Sequence, residues 1–446
     1  MILKKFTAEN VFGYLNFDID FNSDVSFLVG GNGTGKTTAL KLMNALITPN
    51  FKDLIQIPFH SLSLEVEDDG NLITISASSS EKNIHLKIST SNEVLTLPSY
   101  SNEEFEFYAH RQDKVDGLLE EINRRYADNP IVVKIAEIQS PIFLGLDRRM
   151  DEASHDDSDY YSERDTFLRA KNKRVARARR LIKGSIGVSL METEMLVQNS
   201  YKKTRVVEET YSSKLRDSIL LSAFQYSKFK PEDSVSNMLL WQEKSSLLER
   251  EKEIKIAISK IGINDSRLSD EVDNYFIEIK KLFEQLKQAK EGLTVEWLLN
   301  KAQIERMTTI VEIIDDHKSK VDKLFKPIND FLTTVNEFFV NSNKVIEIDA
   351  VGQLNVIRPD GNKCTIEGLS SGERQLLVIF SHAFFNRYAE KNTVFIIDEP
   401  ELSLHLSWQE KIAEAIFSIS PNSQYILATH SPEIVGENKN KCVMCR

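Results

Sequence analysis

The sequence predicts an α/β protein with short buried strands and a long helical insertion, and three observations support this class. An apolar run at residues 25–29 is followed by a glycine-rich loop and then by a helical pattern at residues 37–46. A second apolar run, residues 394–397, ends in two acidic residues. In the middle of the chain, apolar residues recur at helical spacing over a long stretch.

Composition limits the class of protein. At 446 residues the chain has room for two or three domains, and an apolar fraction of 41% is enough for a sizeable core. No apolar run approaches the roughly 18 residues that a membrane span requires. The amino terminus has no apolar stretch typical of a signal peptide, and three cysteines argue against a disulfide framework. We therefore expect a soluble protein of the reducing cytoplasm.

The charge balance restricts contacts with nucleic acid. The formal net charge is −11, whereas a protein that coats nucleic acid over its whole surface carries a basic excess. Any such contact must come from a local patch, and the block at residues 169–183 is the candidate. It is either a solvated helix face or a contact for a polyanion. Its basic residues are Arg169, Lys171, Lys173, Arg174, Arg177, Arg179, Arg180 and Lys183.

We divide the chain into an amino-terminal lobe (1–145), a helical insertion (146–343) and a carboxy-terminal lobe (344–446). The first lobe is β-rich: a hairpin turned at Gly13 is followed by short strands at residues 61–67, 71–77, 84–89 and 94–97. The last lobe returns to strands at residues 344–367. A β-rich arm beside a glycine-rich loop is unlike a simple doubly wound domain.

The insertion begins with an acidic block at residues 151–165, which we expect to be an exposed loop. Further along, two helical stripes favour either an ordinary helical bundle or a short antiparallel coiled-coil arm. Pro327 should kink the second helix near Leu324. The first stripe is Leu268, Val272, Tyr275, Ile279, Leu282 and Leu286. The second is Ile304, Met307, Val311, Ile314, Lys318, Val321, Phe325, Ile328, Leu332, Val335 and Phe339.

The glycine-rich loop matches the phosphate-binding pattern G-x-x-x-x-G-K-[ST] without a departure. Its glycines let backbone N–H groups approach phosphates, and the following helix adds the positive end of its dipole. Lys36 supplies charge to the β- and γ-phosphates, and Thr37 offers a hydroxyl to Mg²⁺. The predicted nucleotide-binding residues are Gly30, Asn32, Gly33, Gly35, Lys36, Thr37 and Thr38.

Asp398 and Glu399 follow the apolar run at residues 394–397, where a buried strand leaves its sheet. In a nucleotide site the first carboxylate can hold Mg²⁺, and the second can polarise an attacking water. Acidic residues at strand ends are common, but together with the phosphate loop they predict an ATPase that uses ATP and Mg²⁺.

Three further segments complete a resemblance to ABC-type ATPases of the SMC-like and OLD-like branch. Residues 369–375, Leu-Ser-Ser-Gly-Glu-Arg-Gln, resemble the LSGGQ signature with two changes, and Ser370 and Glu373 also form a helix capping box. Residues 398–405 have the DEPE-x-x-LH form, and His430 follows another apolar run, as the switch histidine of this family does. The resemblance covers about residues 1–50 and 345–435.

The resemblance implies a P-loop ATPase head with a β-rich lobe and a helical insertion. It also implies that Ser370 and Gly372 bind the γ-phosphate held by another subunit of a head-to-tail homodimer, and that His430 contacts that phosphate. The glutamine that senses Mg²⁺ in this family is assigned to Gln139, in preference to Gln56, because Gln139 leads into the insertion. Larger rings of dimers are also implied.

The layout narrows the branch. Transporter subunits have a shorter insertion and a membrane partner, whereas Rad50 and SMC proteins have much longer coiled coils. OLD nucleases continue into a Toprim domain, for which the sixteen residues after His430 leave no room. The chain is similar to compact ATPases of antiphage defence, such as the Septu-type and retron-associated PtuA proteins and the AriA subunit of PARIS. These imply a separately encoded nuclease partner, of HNH or Toprim type.

Other classes stay open. A RecF-like or Rad50-like DNA-repair ATPase is the main alternative, and a transporter subunit or a structural helical scaffold is more distant. The spacing Cys442-x-x-Cys445 resembles half of a zinc site, but no second pair exists and Cys364 lies far away in the sequence. We therefore expect these cysteines to be structural.

Overall fold

The computed structural model describes residues 1–48, 51–80, 82–99, 122, 125–126, 128–145, 185–223, 250, 273–278, 280–281, 284, 295–386 and 393–445. The side chains of residues 185–189, 223 and 295–304 are not among those described. The predicted acidic block, the basic block at 169–183, and five residues of the first helical stripe lie outside the described residues; those five are Leu268, Val272, Ile279, Leu282 and Leu286.

The chain forms two compact units. The first combines Met1–Ser200 with Phe331–Arg446, and the second is Tyr201–Asp330. The two ends of the sequence therefore form one unit, and the residues of the second unit lie between them in the sequence. The finer division at residues 145 and 343 stays a prediction.

The amino-terminal lobe is a six-stranded antiparallel sheet. Its strands are β1 Ile2–Val11, β2 Leu15–Asp20, β4 Ser61–Asp68, β5 Asn71–Ser79, β6 Asn83–Ile88 and β7 Leu95–Pro98, in the order β2-β1-β4-β5-β6-β7. The predicted hairpin is confirmed, and Gly13 in its turn has a φ of 84°. Glycine adopts this left-handed conformation without a Cβ clash. The four further strands agree with the predicted ranges within two residues at each end.

A five-stranded sheet lies at the centre of the first unit. Its strands are β3 Val25–Val29, β8 Ile142–Leu144, β12 Val394–Asp398, β13 Gln424–Thr429 and β14 Cys442–Met444. They run in the order β14-β3-β13-β12-β8, and every neighbouring pair is parallel. A small antiparallel sheet follows the insertion; its strands are β9 Val345–Ile348, β10 Leu354–Ile357 and β11 Lys363–Thr365.

Eight α-helices with defined bounds accompany these sheets in the described residues, and residues 273–278 are also helical. The eight are α1 Lys36–Ile47, α2 Phe51–Gln56, α3 Pro130–Glu137, α4 Ser185–Ala223, α5 Val295–Phe339, α6 Ser371–Phe385, α7 Leu406–Ile419 and α8 Pro432–Val435. None of them is long and apolar enough to cross a bilayer. The α/β class with a β-rich lobe and a helical insertion is confirmed.

Both faces of the central sheet are buried, because residues that alternate along each strand enter different apolar clusters. In β12, Val394 and Ile396 pack with α1 and the amino-terminal lobe. Phe395 and Ile397 pack with α6, α7 and the last turns of α5 on the other face. These strands are therefore nearly continuous apolar runs, which is why the sequence identifies them.

The second predicted stripe is partly buried in each unit. Val335 and Phe339 of the stripe are fully buried in the core of the first unit, whereas Leu332 is only partly buried there and its neighbour Phe331 is fully buried instead. In the second unit, Val311 and Ile314 pack with Leu215 of α4 and with Phe276. Helix α5 continues through Pro327 as one element, and the kink there stays a prediction.

Gln424 connects the six-stranded sheet of the amino-terminal lobe to the central five-stranded sheet. Its side chain is buried, its Oε1 accepts from Leu3 N at 2.8 Å, and its Nε2 donates to Leu3 O and Asn22 O, each at 2.8 Å. The amide thus provides hydrogen-bond partners for backbone groups of β1 and of the segment before β3. It fixes the amino-terminal lobe against the strand that ends at the candidate site.

We predict that Gln424→Leu lowers the free energy of unfolding by about 3 kcal/mol, because it removes three hydrogen bonds and leaves buried backbone groups unpaired. Urea denaturation followed by circular dichroism measures the change. Gln353→Leu is the matched control, since Gln353 is exposed and a surface change costs less than about 0.5 kcal/mol. Equal stability of the two variants would contradict the role of Gln424.

Candidate functional site

Three strand ends meet at one edge of the central sheet. Strand β13 lies between β3 and β12, and all three are parallel. The register pairs Thr429 with Val29 and Ala428 with Asp398, so the strands stop at nearly the same level. The glycine-rich loop, the Asp398–Glu399 pair and His430 therefore share that edge. Ligands of open α/β sheets bind beyond the carboxyl ends of the strands.

The glycine-rich loop joins β3 to α1 in the predicted way. Gly33 and Gly35 have φ values of 81° and 88°, which favour glycine. Gly35 also has no room for a side chain, because a Cβ there would lie 2.8 Å from Cζ of Phe17. Glycine is therefore favoured at position 35 for two reasons, the left-handed backbone and the close approach of β2.

Lys36 begins α1 and is buried at the mouth of the loop. Its Nζ donates to Gly30 O at 2.8 Å and to Gly31 O at 3.1 Å. Thr37 and Thr38 follow in the first turn of α1, where an α-helix leaves its N–H groups without intrahelical acceptors. Together with the exposed Asn32, these residues present a cation, hydroxyls and N–H groups to an anion.

Asp398 and Glu399 differ sharply in their surroundings. Asp398 is the last residue of β12 and is fully buried. Glu399 is only half-buried, and its φ of 45° is unusual for a residue with a side chain. Its N–H donates to Ala428 O at 2.8 Å, so the backbone turns sharply while it remains bonded to β13. Backbone strain of this kind is concentrated at functional sites.

The donor set suits Mg²⁺. Asp398 offers carboxylate oxygens and Thr37 a hydroxyl, which are the hard ligands this ion prefers. Among the residues that the structure describes, no group of three or more His, Cys, Asp or Glu is placed to hold a metal. Mg²⁺ in nucleotide sites takes only one or two protein ligands and completes its shell with phosphate oxygens and water. An aspartate carboxylate and a threonine hydroxyl therefore fit this ion.

His430 follows β13 and is tied to Glu401, a buried carboxylate. Glu401 Oε1 lies 3.0 Å from His430 Nδ1 and accepts from His430 N at 2.8 Å. It also accepts from Thr429 Oγ1 at 2.8 Å. Glu401 lies in the loop after β12, two residues after Glu399. A side chain of this loop therefore fixes the position of His430, which follows β13.

The signature-like segment opens α6 with the predicted capping box. Ser370 N donates to Glu373 Oε2 at 2.7 Å, and Glu373 N donates to Ser370 Oγ at 3.4 Å. Lys344 Nζ donates to the same Glu373 oxygen at 2.8 Å. The helix begins at Ser371, directly after Ser370 as its N-cap.

Glu373 is charged in the folded protein. Burial by itself would raise the pKa of its carboxyl group, but the hydrogen bonds from Lys344 and Ser370 outweigh burial and lower it. A lowered pKa in the folded state stabilises the protein above the ordinary pKa of the group. That contribution is present at neutral pH and is lost as the pH falls through the folded-state value.

Gly372 lies where α6 approaches the loop after Glu399. A Cβ at Gly372 would lie 2.4 Å from Ser403 O, so only glycine allows this contact. Ser403 itself has a φ of 61°, and Gln375 Nε2 donates to Pro400 O at 3.1 Å. The signature-like segment and the DEPE loop thus pack directly against each other in this chain. This contact explains why residue 372 is a glycine, which the motif alone does not.

The prediction of Gln139 as a Mg²⁺ ligand is wrong. Gln139 precedes β8, whose Ile142 and Leu144 pair with Phe395 and Ile397 of β12. Since the strands are parallel, Gln139 lies beyond their amino ends, whereas Asp398 lies at their carboxyl ends. A hydrogen bond of 3.5 Å from Thr393 Oγ1 to Ser140 O agrees with this placement.

The two terminal cysteines belong to the sheet. Cys442 begins β14, and Cys445 N donates to Val29 O at 3.1 Å beside the glycine-rich loop. Burial raises the pKa of the Cys445 thiol to about 11, although the nearby charge of Lys36 opposes the shift. Burial also raises the pKa of Cys442. Thiols in this state are poor metal ligands, because the thiolate is the ligand form.

The sequence analysis missed two side chains of the site, Glu401 and Lys344. Glu401 stands inside the DEPE segment, so its presence was visible, but its partner His430 is distant in the sequence. Lys344 carries no motif at all.

We predict that Gly372→Ala lowers the free energy of unfolding by about 1–3 kcal/mol, because the added methyl group displaces the Ser403 backbone. The matched control is Ser371→Ala at the neighbouring exposed position, which we expect to be within about 0.5 kcal/mol of the unsubstituted chain. Chemical denaturation measures both. A Gly372→Ala protein as stable as the control would show that the close approach is not required.

Parts of the chain are similar to known proteins. Over 194 residues the chain is 25% identical to "Retron Vc95 probable ATPase" of Vibrio cholerae serotype O1 biovar El Tor, covering 36% of this chain and 35% of that protein. Over 86 residues it is 33% identical to "Endonuclease GajA" of Bacillus cereus strain VD045, covering 19% of this chain and 15% of that protein. The matched regions thus span well under two thirds of either relative.

Two solved structures are similar at a low level. One is a Smc head domain with an extended coiled coil bound to the C-terminal domain of ScpA, from Pyrococcus furiosus (12% identity, TM-score 0.42, 100% of this chain and 94% of that chain). The other is a Smc head domain with a coiled coil and joint, from Pyrococcus yayanosii (14% identity, TM-score 0.36, 96% and 92%). Scores of this size carry no argument about function.

The family is decided by a broader match. The family model described as the AAA ATPase domain (AAA_15) matches residues 1–435, which include the glycine-rich loop, the DEPE segment and His430. This range takes in the whole second unit and all of the first except its last eleven residues. The chain carries an ATPase domain and belongs to the AAA ATPase domain family.

Proposed function

We propose that this chain binds ATP with Mg²⁺ and hydrolyses it at the edge shared by β3, β13 and β12. The observation that supports the proposal best is the register of these strands, which brings the phosphate loop, Asp398–Glu399 and His430 to one level. Phosphoryl transfer needs positioned charges and a positioned water more than covalent chemistry by the protein.

Each side chain has a separate role in this proposal. Lys36 and the N–H groups at the start of α1 bind the phosphates, and Thr37 and Asp398 hold Mg²⁺, which neutralises charge on the phosphate oxygens when bound. Glu399 orients and polarises the attacking water. His430 contacts the γ-phosphate.

Two substitutions separate binding from hydrolysis. We predict that Lys36→Ala weakens ATP binding, because it removes the buried cation of the phosphate loop. Glu399→Gln should retain binding but lower kcat by about a hundredfold or more, because Asp398 is unchanged while the water loses its base. Binding of a fluorescent ATP analogue and phosphate release measure the two effects.

Lys41→Ala serves as the control for Lys36→Ala, because Lys41 is exposed on the same helix. It should bind and hydrolyse ATP like the unsubstituted chain. Hydrolysis by Glu399→Gln at the native rate would exclude the role of Glu399, whereas absence of ATPase activity in the unsubstituted protein would contradict the proposal as a whole.

The proposed active form is a head-to-tail homodimer, or a larger ring of such dimers. In it, Ser370 and Gly372 of one subunit complete the site at Lys36 of the other. Support comes from the exposure of Ser370 and Ser371 at the start of α6, where the positive end of the helix dipole favours an anion. Leu402 and Leu406, beside this helix start, are 42% and 53% exposed. Exposed apolar side chains of this kind are typical of a surface that is covered by a second subunit.

Mixed subunits test this arrangement. Ser370→Arg blocks the signature-like segment, and Glu399→Gln disables the other half of a composite site. Each variant alone should be inactive, and mixing should restore activity to a level set by the ratio of subunits, because one of the two sites in a mixed dimer keeps both native halves. No recovery at any ratio, together with a strictly monomeric active protein, would exclude composite sites.

We further propose that the ATPase serves antiphage defence with a separately encoded nuclease of HNH or Toprim type. Support comes from the motif resemblance to defence ATPases and from the names of the relatives, one a retron ATPase and the other an endonuclease. In this proposal ATP-dependent rearrangement of the cytoplasmic heads holds or releases the nuclease. The basic block at 169–183 is the proposed contact for nucleic acid.

Expression with the natural flanking genes tests the partner. We expect affinity purification of this chain to recover a nuclease, and Lys36→Ala to abolish protection from phage while Lys41→Ala retains it. Recovery of DNA-repair factors with unchanged phage sensitivity would favour a RecF-like or Rad50-like role. Recovery of a membrane permease would instead indicate a transporter subunit.

A further inference from the structure

Glu401 is a buried acid that has no role in the proposed phosphate binding or in the proposed chemistry of Asp398 and Glu399. It lies in the loop between β12 and α7, and its side chain is only 5% exposed, whereas that of His430 is 48% exposed. Burying a carboxylate is costly unless it is hydrogen-bonded. Its hydrogen bonds therefore indicate what the burial maintains.

One oxygen of the Glu401 carboxylate contacts two consecutive residues, Thr429 and His430. Oε1 accepts from Thr429 Oγ1 at 2.8 Å and from His430 N at 2.8 Å, and it lies 3.0 Å from His430 Nδ1. Oε2 is buried and has no hydrogen-bond partner among the described residues. The acid is thus directed at the position of His430 rather than at a general network.

These contacts fix the protonation of the imidazole ring. The backbone N–H of His430 is a permanent donor, so Glu401 Oε1 is an acceptor. A ring nitrogen 3.0 Å from the same oxygen must also be a donor, because a carboxylate has no proton to offer. Nδ1 of His430 therefore carries a proton, and Nε2 is the ring nitrogen left for other partners.

We propose that Glu401 is a positioning residue that holds the orientation and Nδ1–H tautomer of His430 and thereby presents Nε2 to the bound nucleotide. This inference rests on the proposed role of His430 at the γ-phosphate. Glu401 does not itself touch the nucleotide; it acts through the histidine, as carboxylates beside catalytic and metal-binding histidines do.

A double-mutant cycle tests whether Glu401 acts through His430. Glu401→Ala and His430→Ala should each lower kcat about tenfold or more, with KM changed less than about threefold. The double variant should be no worse than His430→Ala alone, because no ring remains to be positioned. Glu401→Gln should retain most activity, since its amide oxygen still accepts from the ring and the backbone.

Histidine ring NMR supplies a readout that is independent of turnover. In ¹⁵N-histidine-labelled protein, the His430 signals are those lost in His430→Ala. We expect Nδ1–H in the unsubstituted protein and in Glu401→Gln, and a shift towards the Nε2–H tautomer in Glu401→Ala. Glu433→Ala is the matched control, because Glu433 in α8 is another acid close to His430 and accepts from Ser431 Oγ at 2.9 Å. It should alter neither the tautomer nor kcat.

If Glu401→Ala does not fold, Glu401→Asp carries the same test, because it keeps the charge and withdraws the carboxylate by one methylene. The inference is overturned if either variant leaves kcat and the tautomer unchanged, or if Glu401→Ala lowers kcat equally in the His430→Ala background. Failure of the proposed function would give a different result. The unsubstituted chain would not hydrolyse ATP, while the tautomer of His430 would still change when Glu401 is substituted.

Discussion

The parallel register of β3, β13 and β12 is the constraint on which the rest of the site depends. Because Thr429 is level with Val29 and Asp398 with Ala428, three loops that are far apart in the sequence begin at one edge. The sheet can hold that register because both of its faces are buried, and a slip would carry apolar side chains into the wrong layer. Gln424 adds to it by fixing β1 and the segment before β3 to the start of β13.

The loop after β12 connects the elements at this edge. Glu399 is bonded through its N–H to β13, Pro400 accepts from Gln375 of α6, and Glu401 holds the end of β13. Ser403 closes against Gly372, where only hydrogen fits. Two residues of this loop have positive φ values, so its path is imposed by these contacts and not by local preference. A movement of the loop would therefore shift the start of α6 and the position of His430 together.

Much of the fold and site was predictable because the relevant physics is local. The glycine-rich loop needs glycine at left-handed positions and a lysine at the start of a helix, and both are visible in eight consecutive residues. The capping box of α6 joins residues three apart, and buried strands are visible as apolar runs. The hairpin at Gly13 follows from alternation and a single flexible residue.

The sequence by itself determined the ATPase class, most of the strands and the glycine-rich loop with the helix that follows it, since each of these depends on residues that are close together in the chain. The tertiary structure alone decided which end of the short strand β8 faces the site, and so removed Gln139 from it. It alone paired Glu401 with His430, Lys344 with Glu373, and Gly372 with Ser403. These are contacts between residues distant in sequence, fixed by strand register and packing, which no local pattern encodes.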